Sequence, residues 1–247
     1  MGRLCRTKIQ TNPVLLITLE SMPMSLCKLL ILAAFASVIA LGCGGAALSS
    51  GTAQLRTISA INSPAAVDVF TDVGAVATNL TVGESSGFSS HAAQIIGVTV
   101  REAGTSNILV SGSLNLNVNQ RYTLYPYQAG SSTYDMIALV HNAGLPIPGK
   151  FRLRLVHVDR FSGPVDVYFA PSGANLSLET PVLQNRSFES ASGYVDLDSG
   201  VSRDTTVTEA GTTNTVGSPI SLNAGSGTAR TVVLYDDGGD TTSIYSD

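Results

Sequence analysis

The chain has 247 residues, 44% of them hydrophobic and only 6% aromatic, with no Trp and three Cys; that length suffices for one large core or for two of about 100 residues each. Fourteen basic residues face eighteen acidic ones; four of the former and one of the latter precede Cys43, leaving 10 against 17, a balance of −7. Such a chain has no cationic footprint for nucleic acid or for anionic lipid, so neither is expected as a partner.

Cys5, Cys27 and Cys43 all precede residue 44, so the region that must fold has neither thiol nor disulfide and relies on burial. From Lys28 the chain runs LLILAAFASVIALGC, ending at Cys43. A basic residue, an apolar run and then small residues is the order of a secretory signal, and the run is short for a bilayer span. Small residues directly before a cysteine resemble the lipobox of bacterial lipoproteins, although Ala40 stands where that motif usually begins with leucine. The resemblance implies cleavage before Cys43 and lipidation of that residue, with the membrane as partner through this anchor. Residues 1–42 are then a signal peptide, with Met22 or Met24 as a conventional start, and residues 43–52 a lipidated Gly/Ser/Ala tether. The expected location is the cell envelope. Gly44 is not the aspartate of inner-membrane retention, which favours the outer membrane where a cell has two.

Beyond the tether the chain repeats itself. QLRTISAINSPAAVDVF (Gln54 to Phe70) aligns without gaps on RLRLVHVDRFSGPVDVY (Arg152 to Tyr168), and TVREAGTSN (Thr99 to Asn107) on TVTEAGTTN (Thr206 to Asn214). Short alternating apolar runs such as IGVTVRE, YTLYPY, FRLRLVHV and TVVLY are separated by Gly, Asn and Ser turns, and HNAGLPIPG (His141 to Gly149) separates the copies. The predicted fold is all-β: two tandem antiparallel immunoglobulin-like β-sandwich domains, residues 53–140 and 151–247, joined by a linker at 141–150 and preceded by the signal and lipobox segment.

Arg154-Leu155-Val156-His157 followed by Pro164-Val165-Asp166-Val167-Tyr168 resembles the opening of the bacterial family known as domain of unknown function 4397, which occurs in tandem on exported proteins. The first copy departs from it, with Ser59 at the place of His157. The resemblance implies a domain type and brings no activity with it.

The recurring aspartate of Val-Asp-Val has a structural reading. If the first two strands of each copy form a hairpin, Arg56 and Asp68 are cross-strand partners on its outer face, as are Arg154 and Asp166, and each pair sets register. Tyr122, Tyr125, Tyr127 and Tyr134 gather late in the first copy, and Pro126 between two of them suggests an edge strand. They form the candidate ligand surface of the alternative function, a glycan or wall-polymer binding module. Gly83-Glu84-Ser85-Ser86-Gly87 fits the G-x-S-x-G pattern, which works as a nucleophile elbow only between a strand and a helix. Ser85 as a hydrolase nucleophile ranks below a turn. His91, His141 and His157 lack metal-ligand spacing, and Asp236, Asp237 and Asp240 are weak candidates for a cation at an acidic turn. No cofactor motif is present. The sequence therefore points to a non-enzymatic envelope lipoprotein acting in adhesion, envelope organisation or ligand display, with envelope proteins or glycans as partners.

Overall fold

The structure, a computed structural model, describes residues 51–142, 144 and 146–247. The signal segment, Cys43 and most of the tether lie outside the described residues. Eight strands arise in the first half: β1 (Thr52–Thr57), β2 (Ala66–Thr71), β3 (Gly74–Thr81), β4 (Ser89–Ala92), β5 (Ile95–Glu102), β6 (Ile108–Asn115), β7 (Arg121–Gln128) and β8 (Tyr134–Val140). They form two four-stranded sheets, ordered β4-β1-β7-β8 and β3-β2-β5-β6. The second half supplies β9 (Lys150–His157), β10 (Val165–Ala170), β11 (Leu183–Arg186), β12 (Ser190–Ala191), β13 (Val195–Asp198), β14 (Arg203–Glu209), β15 (Ile220–Leu222), β16 (Ala229–Asp236) and β17 (Asp240–Ser246). Its sheets run β12-β9-β16-β17, with β13 also on β9, and β11-β10-β14-β15.

The two halves thus use one strand plan. In each, the first strand pairs in parallel with the penultimate one, β1 with β7 and β9 with β16. This departs from the expected purely antiparallel sheets. A parallel pair needs a long crossover, and here the strands of the opposite sheet supply it.

Alternation along the strands builds two separate cores. Leu55 and Leu124 of one sheet meet Val67, Val69, Val98 and Val100 of the other in the first half. Leu153, Leu155, Val232 and Leu234 meet Val165, Val167 and Val207 in the second. A third cluster joins the halves: Ile58, Tyr125 and Tyr127 pack with Val156, Val158, Val233 and Tyr235. β7, β9 and β16 are therefore apolar on both faces, one turned to their own core and one to the seam, and Leu124 and Tyr125 are neighbours with opposite destinations.

The first two strands of each half lie in opposite sheets, so the proposed hairpins do not exist. β1 pairs with β4 and β7, whereas β2 pairs with β3 and β5. Arg56 with Asp68, and Arg154 with Asp166, are not partners; the connection between them crosses from one sheet to the other. The aspartates do different work. Opposite Asp68 the register of β2 on β3 shifts, and Asn79 there is left-handed with φ 54°. Asp68 Oδ1 accepts the Asn79 N–H at 2.7 Å, and Oδ2 accepts that of Gly104, at φ 71°, at 3.0 Å. Asp166 repeats this on Asn185 (φ 50°) at 2.7 Å and on Gly211 (φ 73°) at 2.8 Å. One carboxylate thus pins a bulge on one side and the Glu-Ala-Gly turn on the other, and both recurring motifs meet at it.

Asp68→Ala and Asp166→Ala each leave two backbone donors without that acceptor and are expected to destabilise the fold by about 2–4 kcal/mol. Asp→Asn, which keeps one acceptor, should cost less in the same denaturant titration. A loss below about 0.5 kcal/mol in both alanine variants would refute the assignment.

Candidate functional site at the seam between the halves

Arg56 sits one residue past Leu55 and so faces away from the first core. Arg154 does the same past Leu153. Across each parallel ladder the register sets Arg56 against Thr123 and Arg154 against Thr231. Each guanidinium donates from Nε to its threonine Oγ1, both at 2.8 Å. Each also lies on an aromatic ring at the start of a neighbouring strand, Arg56 on Phe88 and Arg154 on Tyr194, both with the guanidinium carbon 4.6 Å from the ring centroid.

Where the last strand of each half ends, the copies diverge. His141 follows β8 and Asp247 follows β17 at equivalent places: His141 N–H donates to Arg121 O, and Asp247 N–H to Ala229 O. Thr231 donates to the Asp247 carboxylate, 2.8 Å from Oδ1 and 2.7 Å from Oδ2, and the Tyr194 hydroxyl donates to Oδ2 at 2.7 Å. In the first half Thr123 Oγ1 is 2.6 Å from His141 Nε2, and Phe88 meets the imidazole edge-on at 5.8 Å. Thr123 Oγ1 accepts from Arg56 Nε, and it donates to His141 Nε2 in the tautomer that carries its proton on Nδ1.

The two sets meet at Asp247. Its carboxylate oxygens are 3.5 Å from Arg56 Nη2 and 3.5 Å from Arg154 Nη2, and 3.6 Å from His141 Nδ1. Arg154 also donates from Nη1 to Val140 O at 3.4 Å, so each arginine reaches into the other half. Beyond the charges the seam is apolar and close-packed. Gly83 is left-handed at φ 76°, and a Cβ there would meet the Tyr235 hydroxyl of the second half at 2.5 Å. The Gly83 carbonyl accepts from Tyr245.

Burial pushes the Arg56 pKa down, with Arg121 and Arg154 adding repulsion that Tyr125 and Asp247 oppose. Burial, then the Asp247 charge, pushes the Tyr194 phenol up. His141 is pushed down to about 4, chiefly by burial and further by Arg154, Arg56 and Arg121, against the pull of Asp247. It is therefore neutral at pH 7. Over this cluster opens a cavity of about 340 Å³, walled by Arg121, His141, Tyr194, Arg230 and Asp247 among others.

The tyrosine surface is absent. Tyr125 and Tyr127 are 0% and 2% exposed and form the seam, and Tyr122 lies in the first core with Asn117 N–H donating to its hydroxyl. Tyr134, partly buried against that core, donates to Ser63 O. Tyrosines expected to project into solvent are covered because a second sheet packs on theirs. Pro126 lies in β7, between β1 and β8, and not on an edge; its carbonyl accepts from Ala60 N–H beyond the end of β1.

Ser85 bridges to Ile58, and the chain after Gly87 enters β4, so the strand-turn-helix of a nucleophile elbow does not form. His91 faces Ser89 Oγ at 2.9 Å. His157 is fully buried, its Nε2 3.0 Å from Gly163 O. The acidic turn disperses its carboxylates: Asp236 caps Gly238, Asp237 accepts from Thr241, and Asp240 accepts from Ser162. Among the described residues no three His, Cys, Asp or Glu side chains are grouped to hold a metal ion.

Phe88, Thr123, Tyr194, Thr231 and Asp247 escaped the sequence reading, which weighed His141 only as a metal ligand and a linker residue. Their only signal was positional equivalence between copies whose residue types differ, apart from the two threonines.

Residues 53–168 match a known family. Its description is Domain of unknown function (DUF4397). The DUF4397 match runs from β1 into β10, so it covers the first half together with Arg154 and Asp166, and it agrees with the resemblance carried by Val-Asp-Val. No curated protein matches the chain. Among solved structures, a family CBM26 module from Eubacterium rectale Amy13K, in complex with maltoheptaose, has 12% identity and a TM-score of 0.26, covering 79% of this chain and 97% of its own. A structure of alpha-glucan binding by a streptococcal virulence factor has 11% identity and a TM-score of 0.25, covering 78% of this chain and 96% of its own. At these TM-scores no residue correspondence is carried over from either protein to this chain.

The pH dependence follows from His141. Its folded pKa, about 4, is below the unfolded value near 6.5, so the unfolded state takes up a proton that the folded state refuses. Stability should be constant from this source above pH 6.5 and fall as pH drops toward 4, by roughly 2 kcal/mol after allowance for solvent screening. His91 and His157 act in the same direction, both lowered by burial. Urea titrations at several pH values should show a shallower decline in His141→Gln; an unchanged slope would refute the role given to His141.

Proposed function

We propose that this protein is a non-catalytic module of the cell envelope, anchored through a lipid on Cys43, whose two sandwiches are joined into one body for adhesion, envelope organisation or ligand display. The supporting observation is the seam. Three aromatic residues and five aliphatic ones from the two halves share one buried cluster, and beside it a single carboxylate serves two buried guanidiniums drawn from different halves. An arrangement of this kind transmits a load or holds two outer faces at a constant angle, which independent tandem domains on a linker do not. The G-x-S-x-G turn does not form an elbow, and where a serine meets an imidazole, Ser89 with His91, the hydroxyl donates to Leu55 O and His91 Nδ1 has no orienting acid among the described residues, which supports a non-catalytic role.

Two measurements test this reading. Calorimetry of residues 51–247 should give one cooperative transition, and Asp247→Ala, which leaves two buried cations without their carboxylate, should lower stability by about 3–5 kcal/mol and separate the transition into two. Two independent transitions in the unmodified protein would defeat the rigid-body reading. Cells fed an alkyne-tagged fatty acid should label the protein and retain it with membranes, with label and retention both lost in Cys43→Ser; absence of label in the unmodified protein would defeat the anchor.

A further inference from the structure

The charges at the mouth of the seam do not balance. Arg56 and Arg154 flank the Asp247 carboxylate, whose oxygens are already engaged by Thr231, Tyr194 and Arg56, and two further guanidiniums, Arg121 and Arg230, stand on the wall of the cavity above it. Arg121 and Arg230 both line the cavity, and among the described residues neither has a carboxylate within ion-pairing distance. Arg121 is held in place by stacking on Phe88, 3.9 Å from the ring centroid, and Arg230 by donating from Nη1 to Ala229 O at 2.8 Å.

The cavity wall also carries a buried donor. The His141 side chain is only 5% exposed, and its Nδ1 has no hydrogen-bond partner among the described residues. That nitrogen faces Asp247 Oδ1 at 3.6 Å and carries the proton in the tautomer whose Nε2 accepts from Thr123. Arg154 Nη2 is buried behind it, likewise without a hydrogen bond among the described residues.

We propose that this cavity binds a small oxyanionic ligand, one presenting a carboxylate or a phosphate monoester to Arg121 and Arg230. Two guanidinium forks present donors in the geometry that planar or tetrahedral oxyanions accept. A volume of about 340 Å³ falls at the lower end of small-molecule sites, so the ligand is of monosaccharide or dipeptide size and not a polymer chain. A cation would be repelled, and a neutral ligand would leave the guanidiniums unpaired. The site lies between the halves, so its occupant also bridges them. The assignment does not depend on the lipid anchor.

The test uses three ligands on one scaffold: glucose, glucuronate and glucose 1-phosphate, titrated calorimetrically into the full chain. Saturable binding of glucuronate, glucose 1-phosphate or both, with a dissociation constant of about 1 mM or below and no heat from glucose, is the expected result. The anion that binds identifies the oxyanion class. Arg121→Gln/Arg230→Gln should weaken it by at least about tenfold, and the paired lysine substitutions, which keep the charges, should recover part of it. Because Arg121 also packs on Phe88, the unfolding temperature of each variant without ligand is recorded. Arg230→Gln alone provides the comparison if the double variant is unfolded. Silence from both anions, equal binding of glucose, or binding undiminished in a folded glutamine variant overturns the proposal.

Discussion

The Asp247 carboxylate lies between Arg56 and Arg154, one guanidinium from each half, with all three side chains removed from solvent. A buried charge of this kind costs several kcal/mol unless its partners are in place, and truncating one partner leaves the others stranded. The first half brings Arg56 to the seam with a threonine, a phenyl ring and an imidazole; the anion comes only from the second half. Arg56 is therefore accommodated only in the assembled seam, and the mutual position of the two sandwiches follows from that requirement.

The copies share the lock inside each half and the Arg–Thr pair at the seam, and differ in the residues set around that pair. Asp68 and Asp166 hold corresponding bulges and turns with nearly the same distances, because each half needs that lock independently. At the seam the equivalent positions are His141 and Asp247, and Phe88 and Tyr194. The differences are complementary: a tyrosine hydroxyl satisfies the aspartate, whereas a phenyl edge meets the neutral imidazole. Two aspartates would crowd like charges beside one another, and two histidines would leave both arginines without an anion.

The tyrosines show how a correct local pattern led to a wrong surface. Tyr125 and Tyr127 alternate with Leu124 in a run that marks a strand, and the strand is present as β7. In a lone sandwich, the face opposite the core is wet. Here a second sheet covers it, and the outward tyrosines become the centre of the seam. The polar continuation of the same face, Thr123 and Arg56 with their counterparts Thr231 and Arg154, lies at the margin of that contact and opens onto the cavity.

From the sequence alone came the all-β class, the repeat and the recurrence of Leu-Arg and Val-Asp-Val, because alternation and internal identity are local properties of a chain. Tertiary structure alone decided what those residues touch. The spacing of Arg56 and Asp68 suits a hairpin, yet the chain between them passes from one sheet to the other, and nothing in the spacing distinguishes a turn from a crossing. Likewise a run apolar on both faces, as in β7 and β16, marks a strand covered twice without saying what covers it. The covering depends on which sheets stack, and stacking is settled by the burial of the whole molecule: Arg56 and Asp247, 191 positions apart, meet only when both halves have closed on each other.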